Sequence, residues 1–422
     1  MTSRDEVAKP ERISDDALLE LAQRQTFGYF WDFAHPKSGM ARDRSSSHSG
    51  GSADLLAVGG TGFGVMAMIV AAERGWVSRA EARNRVLDLL GYLSAADKYN
   101  GVFPHYLDGP TGKEVSFWAG NAGGDLVETA FLVQGLLCAR QYFCKENAKE
   151  KALCAGIDDL WRKVNWKWHT KGGDVLFWHR GPKPDQESQH KIDGWNECLI
   201  AYVLAASSPT YPVSAAAYHE GWAKGRQFAN GKSYYGITLP LGPDFGGPLF
   251  FSHYSFLGLD PRGLKDRYAD YWEQNRHHTL INYEHCVRNP RHYAGYGPDC
   301  WGLTSSDGDR GYYSHAPDRD RGVITPTAAL SSMPYTPEKS MRALRHFYYD
   351  LGSKIWGKYG FADAFNQSTG WVATDNLAID QGPIIVMIEN YRTGLLWRLF
   401  MSCPEIREGL RILGFKESPL VS

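Results

Sequence analysis

The chain has 422 residues, with 46 basic and 47 acidic side chains and a net charge of −1. This balance offers no basic surface to a phosphate backbone, so we expect no nucleic-acid partner. Because no apolar run reaches the roughly 18 residues of a membrane span, we also expect no association with a membrane.

The N-terminal residues 1–14 are charged and are predicted to form a disordered lead-in, followed by one domain over residues 15–422. They lack the apolar region of a secretory signal. We therefore expect a cytoplasmic protein, or a periplasmic or secreted one if a signal has been removed. Hydrophobic periodicity then predicts helices in chain order, at 15–34, 61–75, 78–97, 125–143, 147–163, 194–207, 212–228, 250–257, 264–287, 325–333, 337–353 and 381–402.

These helices alternate between two kinds. One kind is apolar on almost every side, as in GFGVMAMIVAA, and the other carries a charged face, as in SRAEARNRVLDLLGYL. A helix that is apolar all round is buried, whereas an amphipathic helix faces water on one side. Six outer helices alternating with six inner ones predict an all-α protein, an (α/α)6 toroid barrel. A helical solenoid is the competing architecture, but no fixed-period repeat supports it.

The connections into the inner helices are long, as in residues 98–124 and 288–324, whereas those leaving them are short. Long loops in a compact domain are usually functional, so these loops mark one end of the barrel as the site. Short strands are expected in them at 175–180 and 233–241.

The glycine run GGTGFG at 59–64 lacks the GK[ST] ending of a phosphate loop and predicts close packing at a helix start.

Carboxylates lie at the starts of three apolar helices. Asp125 and Glu128 begin GGDLVETAFLVQGLL, Glu197 lies in GWNECLIAYVLAA, and Asp380 precedes QGPIIVMI. Asp125 also fits a helix N-cap within a capping box, and Asp380 or Gln381 fits a cap before Pro383. For Glu197 the structural alternative is an ion pair with an arginine. A buried Glu197 would have a raised pKa, which suits a general acid.

Glycoside hydrolysis requires two carboxyl groups, one of them an acid. We therefore predict Glu197 as the general acid and Asp380 or Asp125 as the base, with Glu128 nearby. No HExxH or similar ligand pattern occurs, so no metal and no cofactor are expected. Aromatic rings with polar edges suit sugars, and a buried histidine is the alternative for His253. The predicted substrate-binding residues are Trp118, Asn121, Trp195, His253, Tyr254, Trp301, Tyr335, Gln381, Tyr391 and Arg392.

Long motifs resemble one known family. GGTGFGVMAM (59–68), GGDLVETAFLVQGLL (123–137), GWNECLIAYVLAASSP (194–209) and AIDQGPIIVMIENYRTGLLW (378–397) are similar to the glucoamylase-like domain, which includes the β-1,2-glucanases of glycoside hydrolase family 144. The resemblance covers about residues 20–415. It implies an (α/α)6 barrel that hydrolyses β-1,2-linked glucan or sophoro-oligosaccharides with inversion and without metal.

The same resemblance implies functional roles for Asp125, Glu128 and Glu197, with Asp380 as a further candidate. The resembled family usually carries acidic or polar charge just before GGD, whereas this chain has Asn121 and Ala122 there. Two alternatives remain open: a transglycosylase or hydrolase acting on another glycan linkage, and a non-catalytic glycan-binding domain. A saccharide is the expected partner in each case, and the sequence leaves open whether the chain is a monomer or a dimer.

Overall fold

The computed structural model describes residues 12–45, 53–116, 122–183 and 189–416. Ser14, which the predicted lead-in included, caps the first helix by accepting a hydrogen bond from the backbone N–H of Ala17; the extent of the lead-in and of the single domain stays a prediction. The helices of these ranges are α1 Asp15–Trp31, α2 Val58–Glu73, α3 Arg79–Ala95, α4 Leu126–Tyr142, α5 Ala148–Lys163, α6 Leu199–Ser207, α7 Tyr271–Arg288, α8 Pro326–Leu330, α9 Pro337–Arg345, α10 Gly352–Ile355, α11 Ala378–Arg392, α12 Leu395–Met401 and α13 Pro404–Ile412.

The helices form the predicted (α/α)6 barrel. The inner ring consists of α2, α4, α6, the turns at 249–257, α8 and α11, and it closes where α11 packs on α2. The outer layer comprises α1, α3, α5, a wide helical turn at Ala217–Trp222, α7 and α9. All of α6 is buried, whereas α5 buries one face and exposes the other. The alternation of all-apolar and amphipathic segments is therefore confirmed as the difference between inner and outer helices.

Several predicted helices differ from those observed. The predicted helix 212–228 forms only the wide helical turn Ala217–Trp222, and the helices predicted to begin at 194 and 264 begin at Leu199 and Tyr271. The segment 250–257 forms two 3-10 turns, Leu249–Ser252 and Ser255–Leu257, because its Ser, His and aromatic residues are weak helix formers. The predicted helix 381–402 is divided, since Gly394 with φ of 70° ends α11 and starts α12. Sequence periodicity also missed α13.

The glycine run in the first turns of α2 has the predicted packing role. A Cβ atom on Gly135 of α4 would lie 2.1 Å from the carbonyl oxygen of Gly62, and a Cβ on Gly60 would lie 2.7 Å from the Cβ of Ala378. Real Cβ atoms do not approach so closely, so α2, α4 and α11 pack backbone against backbone here. This close packing brings the helix starts that carry the acidic residues near to one another.

Short antiparallel strands line the loop end of the barrel. Two of the strand pairs include residues inside the segments 175–180 and 233–241 where strands were predicted. None of the helices in the described ranges is long and apolar enough to cross a membrane. The strands are β1 Leu55–Ala57, β2 Tyr106–Asp108, β3 Glu114–Val115, β4 Gly124–Asp125, β5 His179–Arg180, β6 Ser233–Tyr234, β7 Ile237–Thr238, β8 Ser305–Ser306, β9 Tyr313–Ser314, β10 Trp356–Gly357, β11 Gly360–Phe361, β12 Phe365–Asn366 and β13 Trp371–Val372. They pair as β1–β2–β3, β4–β5, β6–β7, β8–β9, β10–β11 and β12–β13.

Candidate active site

Asp125 is the N-cap of α4, as predicted, and it is completely buried. Its Oδ1 accepts hydrogen bonds of 3.0 Å from the backbone N–H groups of Val127 and Glu128. Its Oδ2 bonds to Nδ1 of His105 at 2.8 Å and accepts from Nε1 of Trp178 at 3.3 Å. Burial favours the neutral acid, but the hydrogen bond and charge of His105 outweigh it and lower the pKa of Asp125. Each oxygen of this carboxylate therefore has two partners already.

Glu128 lies one turn into α4 and reaches across to α2. Its Oε2 accepts a hydrogen bond of 2.7 Å from the backbone N–H of Gly59, so it does not complete the predicted capping box with Asp125. A Cβ atom on Gly59 would lie 2.5 Å from that oxygen, so only glycine leaves room for the Glu128 carboxylate at this position. Burial raises the pKa of Glu128 to about 7, although positively charged His105 acts in the opposite direction. Its other oxygen, Oε1, has no donor among the described residues.

His105 carries positive charge between these two acids. Burial favours its neutral ring, but the carboxylate of Glu128 and the hydrogen bond to Asp125 outweigh burial and raise the pKa of His105 to about 9. At neutral pH the imidazolium therefore holds Asp125 in place and favours the ionised form of Glu128.

Glu197 lies two residues before α6 and is only 8% exposed. Ser255 fixes its backbone by donating a hydrogen bond to its carbonyl oxygen. Burial raises the pKa of the Glu197 carboxyl to about 7, and the negative charges of Glu128 and Asp125 raise it further. Within the described part of the chain, the predicted alternative of an ion pair with an arginine is not found. Glu197 is thus an acid that can hold a proton near neutral pH.

Asp380 meets a second acidic residue, Asp363, in the loop between β11 and β12. Oδ1 of Asp380 accepts from the hydroxyl of Tyr254 at 3.4 Å, and Oδ2 of Asp363 accepts from the backbone N–H of Asp307 at 2.8 Å. The two carboxyl groups interact directly, and Oδ1 of Asp363 and Oδ2 of Asp380 are buried oxygens without a hydrogen-bond partner in the described ranges. Since two carboxylates lack a donor, this contact requires one shared proton. Burial raises the pKa of both acids; the charge of Asp307 adds to it at Asp363, whose pKa is about 7, and the charge of Asp363 raises the pKa of Asp380 further.

The predicted cap at the start of α11 is wrong. The helix begins at Ala378, and its N-cap Leu377 makes no side-chain cap. Asp380 is the third helical residue, and Gln381 donates to the carbonyl oxygen of Phe361 at 3.1 Å. The side chains of Asp380 and Gln381 therefore form contacts with other loops and inner turns, and they do not cap the free N–H groups of α11.

The substitution Asp363→Asn should change how stability depends on pH. The folded pair retains its proton at pH values where unfolded Asp, with a pKa of about 4, has lost it. Because the pKa of folded Asp363 is about 7, wild-type stability falls as pH rises from about 4 to 7. An asparagine side chain holds no titrating proton, so urea unfolding of the variant across this range should show a smaller decrease. Asp299→Asn, at an exposed ion pair with Arg342, is the matched control; an unchanged slope in Asp363→Asn would contradict the shared proton.

Two tyrosines extend the acidic site. Tyr254, as predicted, lies at the site, where its hydroxyl contacts Asp380 and its ring packs on Phe63 and Phe131. Tyr312, in the β8–β9 hairpin, is 54% exposed, yet the charges of Asp380 and Asp363 act on its hydroxyl. An exposed ring close to buried carboxyls can offer an aromatic surface to a ligand.

Three predicted sugar-binding residues belong to the core instead. Trp301 is completely buried, packs edge-on against Tyr283 and donates to the carbonyl oxygen of Lys339 at 3.3 Å. Tyr335 is 2% exposed and donates to the carbonyl oxygen of Ser252 at 2.9 Å. His253 is the hydrogen-bonded core histidine of the alternative interpretation: it pairs with Ser332 at 3.0 Å, and burial lowers its pKa to about 3.

Tyr391 and Arg392 are at the wrong end of the barrel for the predicted role. They lie in the last turn of α11, about 18 Å from Asp380 at a rise of 1.5 Å per residue. Arg392 does bind carboxylates, but they are those of Asp16 and Glu20 on the outer helix α1. Its role is to join the last inner helix to the outer layer.

Of the other predicted substrate-binding residues, the structure describes two, Trp195 and Gln381. Trp195 is 3% exposed, stacks on Tyr271 and contributes to the wall of a surface cavity. Gln381 is buried next to Asp380. Trp118 and Asn121 lie outside the described residues, so their predicted contacts with substrate stay predictions.

Sequence reasoning missed His105, Asp363 and Tyr312. All three lie in the long loops rather than at the starts of apolar helices, where the predicted acidic residues lie. His105 and Tyr312 carry polar groups within aromatic loop segments, FPHY and GYYSH, and the functional bias of long loops is the signal that would have included them. Asp363 in FADAFN has no such local signal, because its partner Asp380 is 17 residues further along the chain and on another element.

Asp125→Ala should destabilise the protein by about 3 kcal/mol or more, since it removes a cap and leaves a buried imidazolium unpaired. Urea unfolding would measure this loss. Asp270 is a matched control, because it caps α7 through the same pair of backbone bonds but pairs with the half-exposed Lys265. Asp270→Ala should cost only about 1 kcal/mol. Equal losses in the two variants would show that the contacts to His105 and Trp178 contribute nothing.

Comparisons with known proteins identify a family and a curated relative of this chain. A family model described as "Putative glucoamylase" matches residues 189–404. The exo β-1,2-glucooligosaccharide sophorohydrolase (non-reducing end) of Parabacteroides distasonis is 45% identical over 421 residues, which cover 94% of this chain and 58% of that protein. The chain thus spans less than two thirds of the length of this curated relative.

Two solved structures are similar over nearly their whole length. A protein from Bacteroides uniformis described as a "putative glucoamylase" has a TM-score of 0.95 and 55% identity, with 98% of this chain and 100% of that chain covered. The endo-β-1,2-glucanase of Chitinophaga pinensis, solved with sophorotriose and glucose, has a TM-score of 0.93 and 53% identity, with 96% and 99% covered.

Proposed function

Because the chain belongs to the family described as "Putative glucoamylase", we propose that it is a glycoside hydrolase that cleaves β-1,2-linked glucan or sophoro-oligosaccharides. The family resemblance predicted from the sequence is confirmed by these relatives, whose names include an exo- and an endo-acting enzyme on β-1,2-linked glucose. The observation that carries the proposal is the pair Glu128 and Glu197, two buried carboxyls whose pKa values are raised to about 7.

Glu197 is the general acid of the proposed reaction. Its pKa of about 7 keeps it substantially protonated near neutral pH, and its carboxyl has no neighbouring cation, among the described residues, to pull the proton away. A proton delivered to the glycosidic oxygen makes the leaving sugar a neutral alcohol.

Glu128 is the better base. The N–H of Gly59 and the imidazolium of His105 both favour its ionised form, and its Oε1 is available to a water molecule. Asp125 has no such vacancy, since each of its oxygens has two partners. Asp380 shares a proton with Asp363 and is therefore not a free carboxylate. Asp125 acts by holding His105, and Asp380 by presenting a proton-bearing carboxyl group at the pocket.

The test is a product time course on linear β-1,2-glucan, separated by chromatography, with laminarin, cellulose and starch oligomers as controls. Sophorose or short sophoro-oligosaccharides released from β-1,2-glucan alone would support the proposal, and their sizes would distinguish exo from endo action. Larger products made from added oligosaccharide would indicate transglycosylation. Binding without any product would indicate a glycan-binding domain, and either result would overturn the proposed hydrolysis.

A further inference from the structure

Three consecutive residues of the turns at 249–257 form hydrogen bonds with neighbouring inner elements of the barrel. Nε2 of His253 pairs with Oγ of Ser332, in the turn after α8, at 3.0 Å. The hydroxyl of Tyr254 donates to Asp380 of α11 at 3.4 Å. Ser255 bonds to the start of α6 and to α4. The segment therefore contacts the two helices that position the proposed acid and base.

The start of α6 has no cap from its own sequence, since its N-cap residue Cys198 makes no side-chain hydrogen bond to the helix. The hydroxyl of Ser255 acts as the cap from another part of the chain. Its Oγ accepts from the backbone N–H of Ile200 at 3.0 Å and donates to the carbonyl oxygen of Glu197. A hydroxyl can do both because it carries one donor and two lone pairs. Ser255 is completely buried, so bulk solvent does not compete for these contacts.

The backbone that Ser255 holds also orients the carboxyl of the proposed acid. The backbone N–H of Glu197 donates a hydrogen bond to the carboxyl group of the same residue. On the other side, Gln134 of α4, the helix of Glu128, donates to the carbonyl oxygen of Ser255 at 2.8 Å. Ser255 thus lies within a continuous series of hydrogen bonds that leads from the helix of Glu128 to the carboxyl of Glu197.

We propose that Ser255 is a positioning residue that fixes the Glu197 carboxyl relative to Glu128 by capping α6 from a different inner element. Its effect on catalysis rests on the proposed function, since it takes Glu197 as the acid. Protonation of the glycosidic oxygen requires the acid to lie within hydrogen-bond reach of it. Displacement of the Glu197 backbone should therefore slow the reaction more than it weakens substrate binding.

Ser255→Ala tests the proposal, because it leaves the carbonyl of Glu197 and the N–H of Ile200 without their partner. We expect kcat on β-1,2-glucan to fall about 10²-fold, as for a displacement of about 1 Å at a reacting group, with little change in KM. The alkaline decline of the rate should move to higher pH, because the N–H that lowers the pKa of Glu197 loses its fixed position. Ser255→Thr retains the hydroxyl and should restore both the rate and the pH profile.

Ser252→Ala is the matched control. It removes an equally buried hydroxyl from the preceding turn, where Ser252 bonds to Nδ1 of His278 on the outer helix α7 at 2.8 Å. This variant should lose stability in urea yet retain kcat and the alkaline decline. Equal effects in the two alanine variants would overturn the proposal, as would wild-type kcat and pH profile in Ser255→Ala. If Ser255→Ala does not fold, Ser255→Cys, whose thiol is a weaker hydrogen-bonding group, is judged by the same criteria.

A titration of the carboxyl distinguishes failure of the positioning role from failure of the proposed function. NMR of isotope-labelled glutamate carboxyls follows the ionisation of Glu197, whose signal is the one absent from Glu197→Gln. The pKa of Glu197 should be higher in Ser255→Ala and unchanged in Ser252→Ala, whether or not glucan is cleaved. If the wild type cleaves glucan but Ser255→Ala changes neither kcat nor this titration, only the positioning role is overturned. If the wild type cleaves no β-1,2-glucan, the proposed function fails, and an unmoved titration in Ser255→Ala would overturn the positioning role as well.

Discussion

Glu197→Gln should lower kcat on β-1,2-glucan by about 10²–10⁴-fold, the usual contribution of a general acid, while KM changes little. Glutamine has nearly the same shape and cannot protonate the glycosidic oxygen. The buried site should accept it, because the wild-type carboxyl already has a raised pKa of about 7 and tolerates the neutral form. Steady-state rates and circular dichroism of the purified variant would check activity and fold together.

The pH dependence makes this prediction specific. The acid works when protonated, so the wild-type rate should decline as pH rises above about 7, and this alkaline decline should vanish in Glu197→Gln. The acidic decline should remain in Glu197→Gln, because the protonation of Glu128 causes it. Glu408→Gln, an exposed replacement on α13, controls for the substitution itself. A folded Glu197→Gln variant with wild-type turnover would refute the assignment of the acid.

Glu128→Gln should also reduce kcat by about 10²–10⁴-fold, because the amide cannot accept a proton from the attacking water. Here the acidic decline of the rate should disappear, since the protonation of Glu128, whose pKa is about 7, causes it in the wild type. The amide oxygen can still accept from the N–H of Gly59, so the contact between α2 and α4 is preserved. Rate–pH profiles of both variants, measured on the same oligosaccharide, provide the comparison.

The decisive result is that Glu197→Gln loses the alkaline decline of the rate and Glu128→Gln loses the acidic decline. If Glu128→Gln kept the acidic decline and Asp380→Asn lost it, the base would be Asp380, one of the two bases that the sequence alone suggested. The same measurement on Asp125→Asn should show a lower rate with both declines retained, because Asp125 positions His105 and has no free oxygen for water.

The sequence by itself determined the barrel and the location of the site. Whether a helix is apolar all round or on one face depends on its own residues, so the alternation of inner and outer helices could be read directly. The cap at Asp125 is equally local, since it satisfies N–H groups two and three residues away. The length of a helix is local too, and a rise of about 1.5 Å per residue already separates Arg392 from Asp380.

The tertiary structure alone decided which polar groups meet. Asp363 joins Asp380, and Glu128 joins Gly59, across 17 and 69 positions of sequence. The pKa values that separate the proposed acid from a merely structural carboxylate depend on such partners and on burial, and neither follows a periodic pattern along the chain. The same limit explains Trp301: a tryptophan has the same surface in a sugar site and in a core, and only its packing against Tyr283 placed it in the core.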